Sequence, residues 1–257
     1  VTPGPLDVLT ARLVNLGYQP RFLTNPETAD LSPFPGRTLT HTIWGLDPGV
    51  GKVAYGLVTD GPEGTIASIR GTQIPKGSYI EWIRNFEALL IPCPLSAGAK
   101  WHEGIGADYL GLTIEDGTPL GKALSGNPNL ITSGHSKGGP LAIYLGLEVG
   151  AANLMAGVPL PAVFAFAPPK PGDKPLGTAC VQYSRGIRLW ANPKDVVPHT
   201  PLTITDLPPP FVNEDYEFPV QLGPLNPNSV TPPVGLDWAE AHNLEGAYIR
   251  MLEKAAA

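Results

Sequence analysis

The sequence predicts an α/β fold, a mostly parallel central sheet with helices on both faces, from three observations. Short apolar runs at 130–133, 161–167 and 187–191 have the length and the β-branched or aromatic content of buried strands. Helical patterns lie between and around such runs, and strands alternating with helices indicate a parallel sheet covered on both sides. The third observation is the 30 glycines and 31 prolines among 257 residues, in a chain that is 42% hydrophobic. Apolar runs persist throughout, so the glycines and prolines mark long ordered loops, not disorder. No low-complexity linker divides the chain, which is read as a single domain over 1–257.

Taken in order, residues 1–45 form an N-terminal wrapping segment with one helical pattern, 6–16, which Gly17 is placed to cap. The Pro-rich stretch that follows, up to Trp44, reads as extended wrapping. Two apolar runs, 53–58 and 65–70, flank Asp60-Gly61-Pro62-Glu63-Gly64 and read as an antiparallel hairpin. Residues 78–90 read as a helix with Tyr79, Trp82, Ile83, Phe86, Leu89 and Leu90 on one face. A helix weakened by glycines is expected over 104–124, and a buried helix over 140–149. The strand at 161–167 stops at Pro168-Pro169, and the one at 187–191 stops at Asn192-Pro193. Residues 201–236 are a Pro-rich loop insertion, and a final helix runs over 238–254.

The net charge of −6 and the scattered Lys and Arg argue against a nucleic-acid partner, which needs a basic stripe. No apolar run approaches the roughly 20 residues of a membrane helix, so no transmembrane segment is expected. Cys93 and Cys180 lack the paired spacing of a metal site and read as buried thiols or as one disulfide. His102 beside Glu103 has no further ligand nearby, and neither metal nor cofactor is expected. The chain begins at Val1, so it is read as a processed or trimmed product, consistent with a secreted protein.

Chemistry concentrates at Gly134-His135-Ser136-Lys137-Gly138, a Gly-x-Ser-x-Gly motif between an apolar strand and a helical pattern. A nucleophile elbow needs that context, because a sharp strand-to-helix turn lifts the serine clear of the sheet. A serine hydroxyl also needs a base, and the base needs an orienting acid. His41 and His102 precede the serine and His135 lies inside the elbow, leaving His199 and His242. Asp195 sits in the loop after the 187–191 strand, where the acid is wanted; Asp173, Asp206, Asp215 and Asp237 are the other candidates. His199 lies four residues beyond Asp195, too close to reach Ser136 while being oriented from behind, and reads as a structural or rim residue. Ser136, Asp195 and His242 are therefore the expected triad.

Several segments together resemble the class 3, fungal-lipase-like lipases of the α/β-hydrolase superfamily. They are Ile69-Arg-Gly-Thr72, Ala99-Lys-Trp-His-Glu-Gly104, Ser133-Gly-His-Ser-Lys-Gly-Gly139, Asn192-Pro-Lys-Asp-Val-Val-Pro198 and His242, in the family's order over roughly 50–250. The resemblance implies the α/β-hydrolase fold and ester hydrolysis through an acyl-enzyme without metal or cofactor. It places an oxyanion hole on Thr72 and on the backbone N–H of Lys137. It also implies that 78–86, with Tyr79, Trp82, Ile83 and Phe86, forms either a lid that contacts a lipid interface on opening or a fixed helix.

Family lipases usually carry leucine where this chain has Lys137. That lysine is expected to reach solvent or a carboxylate and make the rim of the site more polar; a role as general base is the weaker alternative. The expected substrate is a lipid or medium-chain acyl ester. Aromatic, feruloyl-type or short-chain esters are the rival within the fold. A peptidase and a noncatalytic binding protein are the rivals from other classes.

Overall fold

The computed structural model describes residues 2–47, 50–72, 89–201, 216–221, 223–225 and 238–257. Its main sheet has seven strands: β1 Thr38–Asp47, β2 Gly51–Gly61, β3 Gly64–Ile69, β6 Ile131–His135, β7 Ala162–Phe166, β8 Gly186–Ala191 and β9 Gly223–Pro224, side by side in that order. β1–β2–β3 is an antiparallel meander, and β3, β6, β7, β8 and β9 run parallel. β4 Leu90–Pro92 and β5 Lys100–His102 form a separate two-stranded ribbon.

Strand periodicity divides the core between the two faces. On β7, Val163 and Ala165 join one apolar cluster while Phe164 and Phe166 join the other. The first face packs α3 Glu103–Leu110, α4 Leu120–Leu124, α5 Gly138–Ala156 and α6 Lys174–Gln182. The opposite face packs α1 Pro5–Leu16 and the C-terminal helices, α7 Trp238–His242 and α8 Arg250–Ala256, the latter continuing a π-helical turn at Leu244–Ile249. α2 Pro20–Thr24 is a short turn of helix beside α1. Among the described residues α5 alone is long and apolar enough to cross a membrane; 67% of its apolar window is buried in the protein, which is the state of a core helix. That helix exceeds the expected 140–149 because Gly138 and Gly139 are already helical and Gly157, at φ 67°, ends it.

α1 buries Asp7, Thr10, Ala11 and Val14 at helical spacing. Asp7 is fully buried, yet its carboxylate is saturated. It accepts from Gly4 N at 2.8 Å, Arg188 Nη1 at 2.5 Å and Trp190 Nε1 at 2.7 Å, tying the first helix to β8. Asp7→Ala would leave a buried indole N–H and an arginine without their acceptor, and is expected to cost about 2–4 kcal/mol. Urea unfolding measures this; a change below about 0.5 kcal/mol, the scatter of ordinary surface substitutions, would show that α1 docks by apolar contact alone.

Four sequence expectations change. The wrapping stretch up to Trp44 contains an edge strand, β1, whose Thr38, Thr40 and Thr42 alternate with Leu39, His41 and Ile43. The helix expected over 104–124 is interrupted: Thr113 bridges to Trp44 through bonds of 2.8 and 2.9 Å, and Gly117 takes φ 83°. An unexpected helix, α6, starts at Asp173, whose carboxylate accepts from Leu176 N at 3.0 Å and from Lys100 N at 3.1 Å. The final helix breaks at Asn243, which accepts from Gly246 N at 2.6 Å, so His242 closes α7 instead of opening a long helix. The helix expected over 78–90 does not reach its expected end, because Leu90 opens β4; residues 78–88 and most of the 201–236 insertion lie outside the described residues.

Candidate active site

β3, β6 and β8 are parallel, so their carboxyl ends share one edge of the sheet. Gly71-Thr72 follows β3, Ser136 follows β6 and Asp195 follows β8, which places these segments at the crevice where open α/β sheets bind ligands. Sequence distance disappears because each strand delivers its loop to the same edge.

Ser136 takes φ 57°, in the left-handed region that a residue with a side chain adopts at a cost of about 1 kcal/mol. Its N–H donates to Phe166 O at 2.9 Å and its carbonyl accepts from Gly139 N at 2.8 Å, holding the turn between strand and helix. The two motif glycines are steric requirements. A Cβ on Gly134 would lie 1.9 Å from Gly138 O, and one on Gly138 would lie 2.2 Å from Ile69 O. The elbow therefore presses directly on the end of β3, next to Thr72.

Asp195 and His242 meet. Asp195 is buried; its Oδ2 accepts from His242 Nδ1 at 2.8 Å and from the Tyr248 hydroxyl at 2.7 Å, and its Oδ1 accepts from Val197 N at 2.9 Å. Donation from Nδ1 leaves the imidazole lone pair on Nε2, the atom a general base uses. The Tyr248 hydroxyl also accepts from Asn192 N at 2.9 Å, and Asn192 Nδ2 donates to Ala241 O at 3.0 Å. The 192–197 loop is thus locked to the helix that carries His242. Burial and the Asp195 charge push the Tyr248 pKa well up, so its proton stays available to the carboxylate.

His135 joins the elbow to His242. Its Nε2 donates to His242 O at 2.9 Å, and the two rings lie 4.7 Å apart. The Tyr18 hydroxyl bonds His135 Nδ1 at 2.8 Å and accepts from Gly71 N at 2.6 Å. Complete burial, with His242 adjacent, keeps the His135 pKa well below its ordinary value, so the ring is neutral. Tyr248 and Tyr18 were not expected from sequence, and Asn192 only as the first residue of the family-like 192–198 segment; their roles depend on three-dimensional pairings.

The remaining candidates have structural surroundings. His199 is exposed at the end of a short turn, and His102 is buried with Nδ1 capping α3 through Ile105 N at 3.3 Å. Thr72 is half-buried. Of the two partners expected for it, Lys137 takes the carboxylate: its ammonium reaches Asp108 at 2.7 Å, with the side chain 17% exposed. Tyr79, Trp82, Ile83 and Phe86 lie outside the described residues, as do Asp206, Asp215 and the residue at 237. Cys93 and Cys180 are buried free thiols, and burial pushes the Cys180 thiol up to about 12. Among the described residues no group of three or more His, Cys, Asp or Glu is arranged to hold a metal.

Acid should unfold the protein through its buried histidines. Burial lowers His102 from 6.5 to about 4, and His135 shifts the same way. The unfolded chain takes up these protons first, so stability is full above pH ~6.5 and falls as pH drops towards the folded values. His102 alone accounts for about 3 kcal/mol by pH 4. Unfolding free energies between pH 7 and 4.5 test this, and His102→Gln should flatten the slope. An unchanged slope would show that His102 does not contribute and leave the acid lability to His135 or to carboxylates.

A family model described as "Lipase (class 3)" matches residues 66–205. No curated protein matches the chain. Among solved structures, the Rhizomucor miehei lipase propeptide complex superposes with a TM-score of 0.66 at 17% identity, covering 96% of this chain and 78% of that one. A mutant form of MDLA from Penicillium cyclopium gives 0.62 at 16% identity, covering 98% and 96%. Lip2 lipase from Yarrowia lipolytica gives 0.58 at 18% identity, covering 86% and 78%. This likeness shows the α/β-hydrolase fold.

Proposed function

The chain belongs to the class 3 lipase family and is a carboxylic-ester hydrolase, and on that premise we propose that Ser136, His242 and Asp195 carry out the reaction as a triad through an acyl-enzyme. The observation that carries this reading is the buried Asp195–His242 bond of 2.8 Å, held against the elbow by His135.

Ser136 Oγ attacks the ester carbonyl while His242 Nε2 takes its proton. Asp195, itself held by Tyr248 and Val197 N, keeps the imidazole in the required tautomer and stabilises the imidazolium. The oxyanion accepts hydrogen bonds from the backbone N–H groups of Thr72 and Lys137 and from the Thr72 hydroxyl. His242 then protonates the departing alcohol, leaving Ser136 acylated. Water, deprotonated by His242, attacks that ester; the acid leaves and Ser136 regains its proton.

The substrate in this reading is a lipid or medium-chain acyl ester. Lys137 is paired with Asp108, so the charge it brings beside the nucleophile is neutralised locally. The reading extends to secretion and lipid degradation, which recovery of the protein from the medium of cells that express its complete gene and release of fatty acid from emulsified glyceride would test. Hydrolysis of nitrophenyl esters from short to long acyl chains, with fluorophosphonate labelling alongside, tests the central claim. Labelling with turnover peaking at medium or long chains is expected. Turnover confined to short or aromatic esters would move the substrate class, and absence of both labelling and turnover would favour a binding protein.

A further inference from the structure

The lysine after the nucleophile is anchored on three sides. Lys137 Nζ donates to Asp108 Oδ2 at 2.7 Å and to the Tyr55 hydroxyl at 3.2 Å, and lies 5.1 Å from the centre of the Tyr55 ring. These partners come from different elements, Asp108 from α3 and Tyr55 from β2. Burial works to lower the Lys137 pKa, but the Asp108 charge and the Tyr55 contacts outweigh it and leave the pKa above the ordinary lysine value. The side chain is therefore a permanent cation and not the general base.

The same tyrosine supports the opposite wall. The Arg70 guanidinium lies 5.3 Å from the Tyr55 ring centre, and its Nε donates to Ala54 O at 2.9 Å. Arg70 Nη1 donates to Gly71 O at 2.8 Å. Gly71 O and Thr72 N–H belong to one planar peptide and point in opposite directions. Pinning the oxygen therefore aims the Thr72 N–H. On the other side, Lys137 N–H belongs to the peptide joining Ser136 to Lys137, and among the described residues it donates to no backbone acceptor. One ring thus lies beside both cations: Lys137, whose own N–H is one candidate oxyanion donor, and Arg70, whose guanidinium pins the peptide that carries the other.

We infer that Lys137, Asp108 and Tyr55 are positioning residues which, with Arg70, fix the spacing of the Thr72 and Lys137 N–H groups; the inference rests on the proposed function. An apolar side chain at 137 could fill the space but would impose no directional constraint. A carboxylate and a hydroxyl receiving one ammonium set its place to within hydrogen-bond tolerance. Such a clamp matters most when charge develops on the substrate oxygen, so it should act on kcat and not on substrate affinity.

The test is kcat and KM for a soluble nitrophenyl ester, normalised to serines titrated by fluorophosphonate, in Lys137→Met, Asp108→Asn, their combination and Lys137→Arg. Removing an oxyanion donor outright costs about 10²–10³ in kcat, so a misplaced one should cost about 10- to 100-fold in Lys137→Met, with KM unchanged within about twofold. Asp108→Asn should lose less, the double variant no more than Lys137→Met, and Lys137→Arg should recover part of the loss. If Lys137→Met does not fold, Asp108→Asn carries the same reading. Wild-type kcat per titrated serine, or a loss carried wholly by KM, overturns the inference and leaves a purely structural anchor. Ser136→Ala, run in parallel, separates the two levels. An active Ser136→Ala sinks the triad, whereas an inactive one beside wild-type kcat in the lysine variant sinks only the clamp.

Discussion

Ser136→Ala is expected to lower kcat for nitrophenyl esters by about 10⁴- to 10⁶-fold while leaving the fold intact. The hydroxyl oxygen is the only heavy atom removed, and the elbow is built by the backbone: Phe166 O accepts from Ser136 N at 2.9 Å, and Ser136 O accepts from Gly139 N at 2.8 Å. Alanine meets the φ of 57° with the same Cβ, so the strain of the turn is unchanged. The residue is buried and surrounded by close backbone, so no larger side chain is a fair test. Circular dichroism and a melting curve should match the parent within a few degrees while turnover and fluorophosphonate labelling disappear. Retention of more than a few per cent of the activity would mean that another nucleophile does the work, and the triad would have to be abandoned.

Asp195→Asn is expected to lower kcat by about 10⁴-fold through the tautomer of His242. The carboxylate accepts three hydrogen bonds, from His242 Nδ1, the Tyr248 hydroxyl and Val197 N. An amide has one oxygen for these two sides. With that oxygen towards Val197 N, the NH₂ faces His242 Nδ1 and moves the ring proton to Nε2, where it blocks proton transfer from Ser136. With the amide turned over, its NH₂ opposes the Val197 N–H in a buried place. The first orientation fails in catalysis, and the second preserves the tautomer at a cost in stability. Proton NMR of the His242 ring in parent and variant reads the tautomer directly. A variant with the Nδ1–H tautomer preserved and kcat within tenfold of the parent would show that the aspartate acts only in packing. Tyr248→Phe removes one donor and leaves the other two, so its loss should be much smaller.

Much of the candidate site was legible because the chemistry proposed for it is written in short local patterns. Gly134 and Gly138 flank Ser136 at the spacing a strand-to-helix turn demands, and the structure gives the steric reason in the approach of Gly134 to Gly138 O. Asp195 was recognisable as the first acid beyond an apolar strand, and His242 by elimination among few histidines. The direction of the Lys137 side chain was not legible. Its partners, Asp108 and Tyr55, stand 29 and 82 residues away, and nothing in the local pattern distinguishes a lysine facing solvent from one facing a partly buried carboxylate.

Secondary structure divided along the same line. The hairpin of β2 and β3 and the buried strands β6, β7 and β8 carry their apolar pattern and turn residues within a few positions of one another. The break between α3 and α4 depends on Thr113 pairing with Trp44, a contact across the fold that overrides local helical preference. β1 has the alternation of an edge strand, but a proline-rich approach masked it. By itself the sequence determined the α/β class, the tight strand-to-helix turn at Ser136 and the candidates for nucleophile, base and acid, because turn sterics and apolar periodicity are local properties. Only the tertiary structure decided that Asp195 and His242 meet, that Tyr248 and His135 hold them, and that Lys137 turns inward. Those outcomes depend on which strand ends share an edge and which buried polar groups find partners, and both are settled by packing across the whole chain.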